Sequence, residues 1–456
     1  MAIFMTALAS ELHHYARSDP EYFLPSHTQV EADLEAVNTL PLRKLGQFSC
    51  SAFYPAATHL YTPEGIPFLR CVDIVNFPLI SPDQPFARIP DDFVNAHSSI
   101  RNLKAGDIVI SKVGSPCYAA LLSDDMPLSA MTRTVLGISN IDESIIDPYY
   151  LIAFLRSRHG FDQLMREREL TIQYQLTLER TRKIRVFLPE RPIQKMVGDM
   201  VRGYYKCLRD SLRSSDAAQQ ILESELGLDK LTFQKPMGYT ARFSNVETSR
   251  RLDPEHYYPA FEAFANSLPP GISLSPLNRH LTFCQRGQQP VYSATGLRVI
   301  NSKHVQPNRV LLEDNRFAAA NLDSKLQIRH SDTLLNGTGR GTLGRAAPYL
   351  VDEPAVPDNH VTILRSNDLD PVYLSLYLNS AAGQMQVEMF QRGTSGQLEL
   401  YPFDIRKFLV WPAPESLQQE LRRLHDQAAA AERESRRLLE QAKSRVEQLI
   451  EEAARA

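Results

Sequence analysis

Nine residues near the start of the chain, Arg17-Ser18-Asp19-Pro20-Glu21-Tyr22-Phe23-Leu24-Pro25, return 234 positions later as Arg251-Leu252-Asp253-Pro254-Glu255-His256-Tyr257-Tyr258-Pro259. The echo continues in order. Arg70-Cys71-Val72-Asp73-Ile74 is answered by Arg298-Val299-Ile300-Asn301-Ser302, and Asp147-Pro148-Tyr149-Tyr150-Leu151 by Asp370-Pro371-Val372-Tyr373-Leu374. Each Asp-Pro opens an expected helix that ends near a basic, glutamine-containing segment, 166–175 in the first copy and 391–397 in the second. A β-branched or aromatic run closing on proline follows, at 184–189 and 408–412. Ordered echoes whose offsets drift only from 234 to about 223 are the mark of a tandem duplication. Such a chain folds as two copies of one domain.

Each copy is followed by a long amphipathic stretch. In residues 192–227 the apolar positions Ile193, Met196, Val197, Met200, Val201, Tyr204, Leu208, Leu212, Ala218, Ile221, Leu222 and Leu226 recur at steps of three to five. That spacing predicts a helix with one buried stripe, opened by Pro192 and closed by Gly227. Gly198 and Gly203 weaken it, so a second helix is expected to hold it straight. The C-terminal stretch supplies that partner, with near-heptad spacing of Leu417, Leu421, Leu424, Ala428, Ala431, Leu438, Ala442, Val446 and Leu449, and Ser435 on the same seam. Short β-branched runs such as 107–113 and 361–364 lie between proline, glycine and asparagine loops, so each copy reads as mixed α and β. The expected fold is α/β (α+β): two repeated domains at 1–189 and 251–413, spacer helices at 190–228 and 414–456, and a linker at 229–250. The two helices are expected to pair as an antiparallel coiled coil, with the two domains at opposite ends.

With 43% apolar and 23% charged residues, the 456-residue chain has the composition of a globular protein of two or three domains. No apolar run approaches the ~20 residues that span a bilayer, and residues 1–8 lack the basic flank of a secretory signal, so a cytoplasmic protein without membrane contact is expected. The five cysteines (Cys50, Cys71, Cys117, Cys207, Cys284) are scattered, which indicates neither a disulfide framework nor a zinc site. The net charge of −3 argues against a globally basic coat, but residues 156–213 hold 14 Lys or Arg against 7 Asp or Glu.

The ordered motifs resemble the specificity subunit of type I restriction-modification systems, with two target-recognition domains each followed by a helical spacer. Asp107-Ile108-Val109-Ile110-Ser111-Lys112-Val113-Gly114 resembles that family's strand and loop, and Asp332-Thr333-Leu334-Leu335-Asn336-Gly337-Thr338-Gly339, continued by Leu343-Gly344-Arg345-Ala346, resembles the same element. Residues 370–380 resemble its "DP-x-YL…YLNS" helix, and Gly393-Thr394-Ser395-Gly396-Gln397 its Gly-Ser/Thr-x-Gln segment; the first copy departs there, carrying 171–175 without glycine or serine. The resemblance implies a non-catalytic subunit for phage defence and DNA methylation. It implies that each domain reads a half-site in double-stranded DNA and that the helices fix the gap between half-sites. It also implies docking of two methyltransferase subunits near the helices, and through them restriction or translocase subunits. No cofactor is implied in this chain, S-adenosylmethionine belonging to the partner. The alternatives are a DNA-recognition scaffold of another defence or DNA-modification assembly and, from a different class, an S-adenosylmethionine-dependent DNA methyltransferase.

Motifs for chemistry are weak. Gly339-Arg340-Gly341-Thr342-Leu343-Gly344 matches a dinucleotide fingerprint by letter, but Pro348 arrives too soon for the helix that must follow. A phosphate-approaching loop or a hairpin with positive φ fits better. Asp147-Pro148 and Asp370-Pro371 echo an amino-methyltransferase motif without its second proline, and read instead as helix starts with Asp as N-cap. No catalytic residue and no metal ligand is singled out.

Base edges are read chiefly by Arg, Lys, Asn and Gln, while Ser, Thr and backbone N–H groups hold phosphates. The candidate DNA contacts in the first copy are therefore Lys112, Ser115, Arg133, Gln173, Tyr174 and Gln175. In the second they are Arg340, Thr342, Arg345, Asn359, His360, Arg392, Thr394, Ser395 and Gln397. If the helices are the ruler, one added turn in both 192–227 and 416–456 lengthens the gap between half-sites and leaves the half-sites unchanged. Selection of bound DNA by the lengthened protein checks this, and an unchanged gap refutes the ruler.

Overall fold

The computed structural model describes residues 15, 17–52, 60–75, 77–114, 117–170, 174–231, 238–319, 324–393 and 398–455. The chain divides into two compact units, Met1–Asp210 with Ala431–Ala456, and Ser211–Ala430.

In the first unit a five-stranded sheet runs in the order Gln47–Cys50, Val135–Ser139, Ile108–Ser111, Ala119–Leu122, Leu79–Ile80. Its neighbours are antiparallel except the last pair. A four-stranded sheet sets Ile66–Leu69 parallel to Ser129–Met131, with Arg88–Ile89 and Arg101–Leu103 at its edges. Helix Pro148–Arg156 is buried at seven consecutive positions from Tyr149 to Leu155. The main core joins that helix to the five-stranded sheet and to Val197, Val201 and Tyr204 of helix Arg191–Glu225. Ala442, Val446, Leu449 and Ile450 of helix Glu415–Arg455 complete it.

The second unit repeats this plan. Leu281–Arg286, Val361–Ser366, Asp332–Asn336 and Ala346–Tyr349 form an antiparallel sheet. Leu297–Ile300 lies parallel to Ala355–Pro357 in a second sheet. Helix Pro371–Asn379 packs in a core with Ala218, Leu222 and Leu226 of the first long helix and Leu421 and Leu424 of the second. Within the first unit, therefore, the start of one long helix packs on the end of the other; within the second unit the order is reversed. That is the antiparallel pairing anticipated from the two apolar stripes. At about 1.5 Å per residue the helices are roughly 52 and 62 Å long.

Details of the seam follow from side-chain size. A methyl built on Gly203 would lie 3.1 Å from Leu438 Cδ1, so the glycine expected only to weaken the helix is where its partner comes close. Ser435 is buried and satisfies its hydroxyl on the Glu432 carbonyl at 2.8 Å. Gly227 ends the first helix region with φ +70°. Met196, counted in the apolar stripe, is 40% exposed; the step from Ile193 to Val197 carries the stripe past it.

The Asp-Pro starts are N-caps in both copies. The Asp147 carboxylate accepts the N–H groups of Tyr149 and Tyr150, and that of Asp370 those of Val372 and Tyr373. Tyr150 then reaches the Phe187 carbonyl at 3.0 Å, at the end of strand Arg185–Phe187, and Tyr373 the carbonyl of Trp411, just past strand Leu409–Val410, tying each helix to the segment before the long helix. The single helix expected after each Asp-Pro is instead two. Ser157 and Ser380 break it, giving Arg158–Arg166 and Ala381–Phe390 as separate helices. Gly160 and Gly383 allow the sharp bend, since a methyl there would lie 2.1 Å from the Phe154 oxygen and 2.2 Å from that of Leu378.

One buried amide in each copy joins cap to long helix. Gln194 accepts the Asp147 N–H at 3.0 Å and donates to the Pro189 carbonyl at 2.9 Å. Gln418 accepts the Asp370 N–H at 2.7 Å and donates to the Ala413 carbonyl at 2.9 Å. Replacing either by Leu leaves a buried N–H and carbonyl unpaired, and each variant should lose about 1–3 kcal/mol in chemical denaturation of the unit that carries it. A loss of only a few tenths of a kcal/mol for both would show the amides to be dispensable.

Candidate nucleic-acid interface

In the first unit the strand Ile108–Ser111 is started by a buried carboxylate: Asp107 accepts the Lys104 N–H at 2.9 Å and the Ser139 hydroxyl at 3.0 Å. Just past the strand, Lys112 donates its N–H to Thr134 O at 2.8 Å and accepts the Leu176 N–H at 3.0 Å. Val113 bridges Gln175. The backbone thereby gathers Lys112, the turn bearing exposed Arg133, and the hairpin of Glu169–Leu170 with Tyr174–Gln175. Tyr174 is engaged at the surface: its hydroxyl donates to Glu21 at 2.7 Å, which raises its pKa, and Arg168 lies 4.1 Å over its ring. Ser115 and Gln173 lie outside the described residues.

The second unit builds the same junction from different side chains. Thr338, past strand Asp332–Asn336, bridges Glu399, and Glu399 pairs with Arg392 through both backbone hydrogen bonds, at 2.7 and 2.8 Å. Gly337 donates to the His360 carbonyl at 2.7 Å, and the His360 ring Nδ1 meets the Thr338 hydroxyl at 2.5 Å. Asn359 sits beside it, its backbone carbonyl accepting from Arg286 and its Oδ1 buried without a partner among the described residues. Thr394, Ser395 and Gln397, on the loop between Arg392 and Glu399, lie outside the described residues.

Residues 339–344 connect two antiparallel strands, Asp332–Asn336 and Ala346–Tyr349, so the glycines serve a hairpin and no strand-loop-helix phosphate cradle forms. Gly339, Gly341 and Gly344 have φ of +104°, +80° and +79°, a region that side chains disfavour. Thr342 donates its hydroxyl to the Thr338 carbonyl at 3.0 Å, and Arg345 reaches Gln306 at 3.1 Å. Arg340, at the tip, is exposed and its side chain has no partner among the described residues. Arg392 is held by two oxygens of fully buried Asp404, at 2.6 and 3.2 Å, and that bond raises its pKa.

The geometry adds residues that the sequence reading passed over. Helix Pro402–Ile405 follows the loop directly and carries Phe403, 52% exposed. Tyr401 stacks on it at 5.6 Å between ring centroids and 13° between planes. Arg392 and Lys407 approach the Phe403 ring at 5.1 and 5.5 Å, and Arg286 the Tyr401 ring at 5.8 Å. The only available signal was an aromatic pair set between a basic loop and a basic run.

Among the described residues no group of three or more His, Cys, Asp or Glu is placed to hold a metal, and no helix is long and apolar enough to cross a membrane. The five cysteines are unpaired thiols.

No protein-family model matches the chain, and no curated protein matches it. Among solved structures it is similar to a type I restriction-modification system S subunit from M. genitalium, at 12% identity, 90% of this chain and 95% of that one, with a TM-score of 0.45. A chain from a study of complex assembly and conformational transition of the type I R-M system gives 15% identity, 91% and 97% coverage and a TM-score of 0.31. The HsdS subunit from Thermoanaerobacter tengcongensis gives 14% identity, 92% and 96% coverage and a TM-score of 0.30.

Proposed function

We propose that this chain is the sequence-specific DNA-recognition subunit of a type I restriction-modification complex. One observation carries the reading: the same loop junction, Val113 to Gln175 and Thr338 to Glu399, occurs in both copies of the fold, lined by different side chains. A duplicated frame with exchanged lining suits two half-sites of different sequence, each read by its own set of Arg, Lys, Asn, Gln or His. In this reading Lys112, Arg133 and Gln175 serve the first half-site, with Ser115 and Gln173 beside them. Arg340, Arg345, Asn359 and His360 serve the second, with Thr394, Ser395 and Gln397 on the adjoining loop; Thr342 and Arg392 shape the loops that present them. Tyr174, tied to Glu21, positions its hairpin. The chain performs no chemistry itself; methyltransferase subunits that use S-adenosylmethionine dock near the long helices, with nuclease or translocase subunits joining through them.

Selection from a random duplex pool, using the chain reconstituted with its co-expressed neighbouring subunit, should return a bipartite motif with a fixed unspecified gap. Recovery without enrichment from an intact, folded complex would defeat the reading. In the same complex Arg340→Ala should cost about 1–3 kcal/mol at one base position if the guanidinium reads a guanine, and should weaken all sequences alike if it holds a phosphate. A loss below a few tenths of a kcal/mol removes Arg340 from the interface.

A further inference from the structure

The two copies differ most sharply just after the recognition hairpin. Where the second has Tyr401 and Phe403, the first, at an offset of 224, has Thr177 and Glu179. The first pair does ordinary structural work, Thr177 capping helix Leu178–Thr181 and Glu179 pairing with Lys183 at 3.1 Å. The fold therefore does not require aromatic rings at this place. In the second copy Phe403 leaves half its surface in water, which costs stability that a polar residue would not.

Its surroundings name an occupant. Arg286, Arg392 and Lys407 approach the two rings, with the carboxylates of Glu399 and Asp404 paired to them and Asp253 acting on Arg392 from nearby. Asp404 is wholly buried beneath Arg392 and Lys407 and fixes both cations beside the ring. Cations beside an exposed aromatic face suit a polyanion that also offers flat apolar groups, which is nucleic acid. An acidic protein surface with an apolar pocket would answer the same groups; the place beside the junction proposed to read DNA favours the duplex.

Resting on the function proposed above, we infer that the Tyr401–Phe403 pair is a duplex-DNA contact confined to the second half-site. Phe403 packs against a base, as an apolar wedge at one base step or on a thymine methyl, and Lys407 holds a flanking phosphate. The two half-sites are thus engaged by different chemistry, polar in the first copy and partly apolar in the second.

The test uses the reconstituted complex and the duplex that it selects. Phe403→Ala should weaken binding about 5- to 100-fold, the loss typical of one aromatic contact with a base, while leaving the salt dependence of binding unchanged. Lys407→Ala should lower the log–log salt slope by about one. Glu179→Ala, at the matching place in the first copy, should leave affinity within twofold. Phe403→Ala complexes that bind within twofold of the parent, with unaltered thermal melting, overturn the inference and leave the specificity-subunit reading standing. Loss of the partner subunit from the Phe403→Ala complex, with DNA affinity kept, overturns it in favour of a protein contact. If the parent complex enriches no sequence, it is the underlying reading that fails.

Discussion

Each half of this chain depends on a glutamine at the root of a long helix. Gln194 and Gln418 take up the N–H of the capping aspartate and return a hydrogen bond to the carbonyl just before the long helix begins. The globular part and the helix are thereby one structure. The capping carboxylates extend the tie: Arg202 reaches Asp147 at 2.9 Å and Arg422 reaches Asp370 at 3.2 Å. Buried amides of this kind are exacting, because losing one partner strands the other without water.

Around that tie the two copies conserve backbone solutions more closely than side chains. Gln163 donates to the Arg185 carbonyl at 3.1 Å and accepts its N–H at 3.0 Å; Gln386 makes the same two bonds with Leu409. Arg156 and Asn379 differ in charge and length yet perform one task, donating to the carbonyls of Ala119 and Ala346 at 2.6 and 2.8 Å. The exchange has an electrostatic consequence. Buried Arg156 is pushed down to about 10 by desolvation, and its three carbonyl acceptors are what keep a guanidinium tolerable there.

Elements whose signal is local and periodic were legible in the sequence. The Asp-Pro caps, the apolar stripes and the duplication announce themselves through spacing, and the long helices run Arg191–Glu225 and Glu415–Arg455, close to the ranges anticipated. The sheets were legible only as short apolar runs. Strands such as Ile108–Ser111, Ala119–Leu122 and Ala346–Tyr349 are buried at every position, so they show no alternation and no order. The candidate site was half legible for a related reason. Lys112 and Gln175 could be picked by residue type, but the bridge from Val113 to Gln175 joins positions 62 apart and leaves no local trace. An exposed phenylalanine such as Phe403 reads as core in any one-dimensional pattern, because exposure is set by the fold and not by its neighbours in sequence.

Duplication supplies a control that a single domain lacks. Where both copies keep a feature, as with the capping aspartates, the folding of the unit accounts for it. Where they diverge at matched positions, folding no longer dictates the choice. His27, Arg166 and Arg185 of the first copy correspond to Phe261, Met389 and Leu409 of the second, and in each copy these residues pack beside matched helices and strands. There the first copy is satisfied by polar pairing, Arg166 meeting Glu31 at 2.8 Å, and the second by apolar packing, Phe390 stacking on Phe408 at 5.5 Å. In both copies the exchanged groups find their contacts within their own unit, so that divergence swaps one internal contact for another. Phe403 differs in kind, since neither folding nor burial accounts for an aromatic ring held half in water between fixed cations. Its place beside the junction of Thr338, Arg392 and Glu399 is what makes a contact outside the unit the economical explanation.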